Sequence, residues 1–222
     1  MLAAVDTNDA DIRARLLTIV RQEHIGNDTL FLEEMALYGG SVRADLAVLN
    51  DCSHAYEIKS SRDTLARLPR QIGAYNAIFD RITLVTVDRH LQEAQQLIPQ
   101  WWGIWQVLPT GDGMALLRMR ASLSNPKRDP HAIAALLWKP EALRLLQMLG
   151  LDSGVRSKPM DDLVDRLAQR LSPEALYVHV RQALRARGDW RSGARRKQRD
   201  GMYRRHASPW YSQCTVSRNI SE

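Results

Sequence analysis

The sequence predicts a mixed α/β core over residues 1–122 followed by a small all-helical appendix over 131–187. Three observations carry this. Runs rich in β-branched residues alternate with helical-period runs as far as residue 120. Ser124-Asn125-Pro126-Lys127-Arg128-Asp129-Pro130 then interrupts the pattern, which sets a linker at 123–130. Beyond it, apolar residues recur at helical spacing until Gly188, where periodicity stops and a basic, flexible tail is expected over 188–222.

The elements follow in order. Asp9 or Asp11 is placed to cap a first helix carrying Ile12, Leu16, Leu17, Ile19 and Val20. Gly26-Asn27-Asp28 ends it. Thr29–Met35 reads equally as strand or helix. Val42–Leu49 alternates as a strand, Asn50-Asp51 turns the chain, and His54–Ser60 returns as its hairpin partner. Pro69 suits a first helical turn, so a helix is expected from there to Phe79. Ile82–Val87 reads as a buried strand and Leu91–Ile98 as a helix. Gly103–Leu108 and Ala115–Met119 form a second hairpin about Gly111-Asp112-Gly113. In the appendix, helices are expected at His131–Trp138, Pro140–Leu149, Met160–Leu171 and Pro173–Arg187, the last capped by Ser172.

Composition narrows the function classes. At 222 residues the chain can bury one good core, alone or with a small second domain. Its two cysteines, Cys52 and Cys214, offer neither a disulfide framework nor a zinc cluster. The start, with Asp6, Asp9 and Asp11, lacks the basic and apolar regions of a signal peptide. No stretch is long and apolar enough to span a membrane, so a cytoplasmic protein is expected. No Gly-rich phosphate loop is present, and nucleotide hydrolysis is not expected.

The net charge of +6 is uneven. Arg181–Arg205 holds ten basic residues against Asp189 and Asp200, a local charge of +8 that leaves −2 for the rest. Such a block either attracts nucleic acid or is a solvated tail.

Chemistry concentrates in Asp45 to Tyr75. Side chains alternate faces along a strand, so Glu57 and Lys59 share one face while Tyr56 and Ile58 take the other. Asp45 interrupts an apolar run on the partner strand, where a charge is costly without a partner. Two neighbouring carboxylates repel unless a cation lies between them. Oxygen ligands favour Mg²⁺ or Mn²⁺, which would activate water against a phosphate. Lys59 is then placed to orient that water or to stabilise developing charge. Gln71 and Tyr75 lie four apart on one helix face. Glu33 and Glu34 offer a further acid, and the pattern does not decide between them. Arg43, Arg62, Arg67 and Arg70 are candidates to hold a phosphate, as are Arg195, Arg196 and Lys197 in the tail. The bland alternatives are a solvent-facing Glu-x-Lys pair, a surface helix and solvated arginines. Trp101, Trp102 and Trp105 would stack bases or, more ordinarily, fill the core. The six histidines show no paired metal-ligand spacing.

Asp45…Glu57-x-Lys59 followed by Gln71-x-x-x-Tyr75 resembles the PD-(D/E)XK nuclease superfamily, most of all its RecB-like branch with a Gln-x-x-x-Tyr helix. More narrowly, Arg43–Val48, Tyr56–Ser60, Asp63-Thr64-Leu65-x-Arg67-Leu68, Gln71-x-x-x-Tyr75 and Leu136-Leu137-Trp138-x-x-Glu141-Ala142-Leu143 resemble the uncharacterised sce7726 family of bacteria and phages. The resemblance spans residues 10–187. It implies a restriction-endonuclease-like mixed sheet flanked by helices and a Mg²⁺-dependent cut of a phosphodiester in nucleic acid. By position Asp45 and Glu57 match the metal ligands and Lys59 the catalytic lysine. Glu34 (or Glu33) matches the upstream acid, and Gln71 and Tyr75 the accessory helix. Ala44 stands where the motif has proline. The expected substrate is DNA, with RNA not excluded. The alternative is a silent nucleic-acid-binding or protein-interaction subunit of a larger assembly, its protein partner held by the helical appendix.

Overall fold

Six strands form a single sheet in chain order, β1-β2-β3-β4-β5-β6. The computed structural model describes residues 7–187 except Asp112. A first helix, α1 (Asp9–Glu23), precedes a meander of β1 (Leu30–Leu37), β2 (Val42–Leu49) and β3 (Ser53–Lys59). Two crossovers follow, through α2 (Leu68–Asn76) to β4 (Arg81–Val87), and through α3 (Asp88–Leu97) to β5 (Gly103–Thr110). A hairpin adds β6 (Gly113–Arg120). β3, β4 and β5 are parallel, and the other neighbours are antiparallel. The sheet is mixed and flanked by helices, as the sequence predicted.

Several elements differ in detail. The stretch read as Thr29–Met35 resolves as strand from Leu30 on, because β1 pairs with β2 on both sides of Glu34. The cap of α1 is Asn8, whose side chain accepts the Asp11 N–H at 2.9 Å, and not Asp9 or Asp11. Asp9 is instead ion-paired to Arg13. α2 stops at Asn76, short of Phe79, and α3 starts three residues earlier than expected, directly from β4.

The sheet carries two apolar layers. α1 lays Ile12, Leu16 and Val20 against Leu46, Val48, Tyr56, Ile58, Val85, Trp105 and Val107. On the opposite face, Leu68, Tyr75 and Ala94 from α2 and α3 join Ala47, Ala55, Ile82, Leu84 and Ile104. That second layer is continuous with the C-terminal helices α4 (Pro130–Ala134), α5 (Lys139–Met148), α6 (Met160–Arg170) and α7 (Pro173–Ala186), through Ile133, Leu137, Leu146, Leu167 and Tyr177. Ser172 caps α7 as predicted, accepting from Ala175 N at 3.3 Å.

Residues 123–130 are strapped to the end of α2 and the loop that follows it. The Asn125 side chain donates to the carbonyls of Asn76 and Phe79 at 2.7 and 2.8 Å. Arg128 pairs with Asp80 at 2.8 Å and Glu174 at 2.6 Å, and so ties the end of α2's loop to α7. The expected phosphate-holding residues of the tail, Arg195, Arg196 and Lys197, lie outside the described residues.

One irregularity positions the site. In β2, Ala47 and Leu49 face the α2 layer and Leu46 and Val48 face α1, yet Val42 and Ala44 also face the α2 layer. The alternation therefore changes phase at Asp45. β1 changes phase at the same level, because Leu32 and Met35 both face the α2 layer although three positions apart. The register is unchanged across the break, with Leu32↔Ala47 before it and Met35↔Ala44 after it. Glu34, the residue that falls opposite Asp45, has φ 53°, a left-handed conformation that costs an ordinary side chain about 1 kcal/mol or more.

Candidate acidic site at the split between two strands

The β2–β3 ladder runs from Leu49↔Ser53 to Leu46↔Tyr56 and stops. One further step would set Asp45 opposite Glu57. There the Asp45 side chain replaces a backbone partner, its Oδ2 accepting the Ile58 N–H at 2.7 Å. Glu34, Asp45 and Glu57 thus form a row across β1, β2 and β3. α1 covers this row on one side of the sheet and α2 on the other.

On the α2 side, Glu57 is 1% exposed and Lys59 3%. Such burial is tolerable because every polar atom is answered. Glu57 Oε1 accepts from Lys59 Nζ and, at 2.5 Å, from Gln71 Nε2. Lys59 Nζ also donates to Gln71 Oε1 at 3.1 Å. Glu57 Oε2 accepts from the Tyr75 hydroxyl, which lies 2.6 Å from the Arg43 carbonyl as well. The Tyr75 ring is fixed by stacking on Trp102 at 6.1 Å and by an edge contact with Phe79 at 5.8 Å. Gln71 and Tyr75 therefore do share a helix face, and it is the face against Glu57. Trp102, fully buried, is core, as the ordinary reading of the tryptophans has it.

On the α1 side, Arg13 is the residue the sequence reading missed. Its guanidinium pairs with Asp9 and Glu34, and its Nη2 stands 3.8 Å from Asp45 Oδ1. Glu34 is also 3.9 Å from the exposed Arg43. Glu34, one of the two upstream acids, is joined to Asp45 through this shared cation. Arg62 and Arg67 are exposed on the segment that leads into α2, and Arg70 is exposed in its first turn. A sequence signal for Arg13 did exist: it lies four residues after Asp9, at the border of the apolar stripe Ile12-Leu16-Val20.

The electrostatics match this crowding. Burial, reinforced by the charge of Glu57, pushes the Asp45 carboxyl up to about 8 against the help of the Ile58 N–H. Burial also raises Glu57, outweighing Lys59 and three hydrogen bonds that favour its ionised form. Burial and then the Glu57 charge raise Tyr75 well above its ordinary value, so it remains a hydroxyl donor. Asp63, in the turn after β3, moves the other way: burial opposes it, but hydrogen bonds from Ser60 N at 2.8 Å and Ser60 Oγ at 2.5 Å prevail.

The donor chemistry fits a small hard cation. A carboxylate offers about four lone-pair positions. Glu57 has committed three of them, and Asp45 one to Ile58 N. Among the described residues no group of three or more His, Cys, Asp or Glu gathers as a metal cage. Asp45 and Glu57 are the carboxylates here that could contribute oxygens to such a cation, whose usual shell is completed by water.

Comparison with known proteins adds a family. The sequence model of a family described as Bacteriophage P4 protein cII matches residues 3–199. The chain belongs to that family. The match to the cII family takes in every residue of the acidic site and the basic positions Arg195, Arg196 and Lys197. Protein cII of Enterobacteria phage P4 is 23% identical over 164 residues, which cover 74% of this chain and 61% of that protein. The chain thus spans about three-fifths of the length of that curated relative. Among solved structures, the SPO1766 protein of unknown function from Silicibacter pomeroyi is 21% identical and aligns with a TM-score of 0.36, covering 63% of this chain and 89% of that one. Among the described residues of this cII-family chain, no helix is long and apolar enough to cross a membrane.

Proposed function

We propose that this member of the cII family is a metal-dependent nuclease that hydrolyses phosphodiester bonds in DNA, with Mg²⁺ as its ion and Mn²⁺ as a substitute. The observation that carries the reading is the convergence of Asp45, Glu57 and Lys59 at a strand split, with Gln71 and Tyr75 bonded to the same carboxylate.

Each residue has a role the geometry supports. Asp45 and Glu57 present carboxylate oxygens from adjacent strands and would hold the ion. When bound, the ion would supply positive charge against the scissile phosphate and favour ionised water. Tyr75 and Gln71 hold the Glu57 carboxylate in one rotamer, which removes reorganisation from the reaction. Lys59, by exchanging its bond to Gln71 for one to water or a phosphoryl oxygen, orients the nucleophile or stabilises developing charge. Arg43, Arg62, Arg67 and Arg70 would hold flanking phosphates, and the basic tail would add attraction independent of sequence.

The near-complete burial of Glu57 and Lys59 favours a second reading, in which the fold serves as a nucleic-acid-binding or protein-interaction subunit with a silent site. One experiment separates the two. Linear, circular, single- and double-stranded DNA, with RNA beside them, are incubated with wild type and Lys59→Ala in Mg²⁺ or Mn²⁺. Cleavage by wild type that is lost in Lys59→Ala supports the nuclease. Tight binding without cleavage by well-folded protein supports the subunit.

A further inference from the structure

We propose that Arg13 is a positioning residue of this site, a built-in cation that organises the acids before a divalent ion arrives and opposes that ion's binding. The inference rests on the metal-site reading of Asp45 and Glu57 given above.

Three acids from three different elements surround this one guanidinium: Asp9 from α1, Glu34 from β1 and Asp45 from β2. The Arg13 side chain is 17% exposed, against 64% for Arg43, the other cation near Glu34. Its Nε is buried without a hydrogen-bond partner, so the side chain is held by its two terminal nitrogens and not by the whole guanidinium fork. The contacts grow weaker toward the metal site. Asp9 and Glu34 are paired directly, while Asp45 is faced at 3.8 Å, with its Oδ1 free of any shorter bond to Arg13. Glu34 keeps its left-handed backbone at this contact.

Two consequences follow from charge alone. Without a metal, like-charged acids in one row repel, and a nearby cation relieves this. Arg13 supplies that cation from α1 and couples the helix to the two strands that change phase. A second cation entering beside Asp45 meets a fixed positive charge within a few ångströms, and that repulsion weakens its binding. Arg13 therefore sets the divalent-ion concentration at which the site fills. A purely structural role makes the opposite prediction, because loosening the acid row would scatter the ligands and weaken ion binding.

The test is a Mn²⁺ titration of the full chain, followed by calorimetry and by the electron paramagnetic resonance signal of free Mn²⁺. Wild type is compared with Arg13→Gln, Arg13→Lys, Asp45→Asn and Arg13→Gln/Asp45→Asn. Arg13→Gln is expected to bind Mn²⁺ roughly 5-fold or more tightly than wild type, the lower end of ordinary site-to-site coupling. Arg13→Lys is expected to bind more tightly by a smaller factor, because a shorter point charge cannot bridge Asp9 and Glu34 while facing Asp45. It decides the matter if Arg13→Gln does not fold. Asp45→Asn is expected to abolish binding in both backgrounds. Equal or weaker binding by the Arg13 variants, with Asp45→Asn still abolishing it, overturns the role of Arg13 and leaves the metal site standing. Absence of Mn²⁺ binding, or binding indifferent to Asp45→Asn, overturns the metal site and this inference with it.

Discussion

The Asp45 carboxylate accepts the Ile58 N–H at 2.7 Å, so a side chain occupies the place of a ladder bond where β2 leaves β3. This gives Asp45 a structural duty separate from chemistry, and two substitutions divide them. Asp45→Asn retains an oxygen for Ile58 N and should keep most of the stability. Asp45→Ala leaves that N–H buried and unpaired, a loss of about 1–3 kcal/mol. Both should abolish cleavage. Urea denaturation of the two variants checks the first difference and a cleavage assay the second. Equal stability of the pair would show that the Ile58 bond contributes nothing.

Asp45 also makes stability depend on pH. Its carboxyl, ordinarily near 3.8, is pushed to about 8 in the folded protein by burial and by the charge of Glu57. Between these values the folded state holds a proton that the unfolded chain has released. Stability contributed by this group is therefore full below about pH 4 and is lost as pH rises toward about 8. Glu57, raised by burial, acts in the same direction. Thermal unfolding in chelator from pH 5 to 9 should show a decline that Asp45→Asn flattens. Mg²⁺, which favours the ionised acids, should stabilise wild type more at pH 8.5 than at pH 5.5. A Mg²⁺ effect of the same size at both ends would contradict this account.

Tyr75→Phe probes the accessory helix. The ring contacts with Trp102 and Phe79 survive the change, and only the hydroxyl between the Arg43 carbonyl and Glu57 Oε2 is removed. One hydroxyl proton serves two acceptors there, the Arg43 carbonyl and Glu57 Oε2. The variant should lose about 1–3 kcal/mol of stability, the cost of unanswered buried acceptors. Cleavage should fall while DNA affinity holds, because Tyr75 is fully buried and reaches no solvent. Full activity in Tyr75→Phe would remove Tyr75 from the site.

Much of this was legible in the sequence, for identifiable reasons. Glu57 and Lys59 were readable because strand alternation fixes a shared face, and Gln71 and Tyr75 because a helix does the same at four residues. Asp45 stood out as a charge in an apolar run. Its phase change did not, since apolar residues lie on both sides of the sheet and the run reads as unbroken. β1 stayed ambiguous for a related reason: Glu33-Glu34 interrupt its pattern where Glu34 leaves the pleat. Only the pairing of Arg13 with Asp9 was readable, at four residues on one helix; its partners Glu34 and Asp45 come from other elements, and periodicity reports that a face is buried without saying against what. The same limit hid the shared core of the C-terminal helices and the sheet, although Pro140, Pro173 and Ser172 marked helix starts correctly.

The C-terminal charge makes a prediction independent of the site. Arg181–Arg205 concentrates ten basic residues, while the rest of the chain is net acidic. If those residues neutralise phosphates, deleting Arg191–Glu222 should weaken DNA binding at low salt. It should also reduce the slope of log affinity against log salt by about 0.9 per lost contact. Replacing Arg195, Arg196 and Lys197 by glutamine should produce part of both effects without shortening the chain. Because the acidic site lies elsewhere in the sequence, the rate of cleavage at saturating DNA should remain near that of wild type in both variants. Fluorescence anisotropy across a salt series measures the slope. A slope unchanged by the deletion would mean that the basic block does not touch DNA, and the exposed Arg43, Arg62, Arg67 and Arg70 would then be the residues to neutralise next.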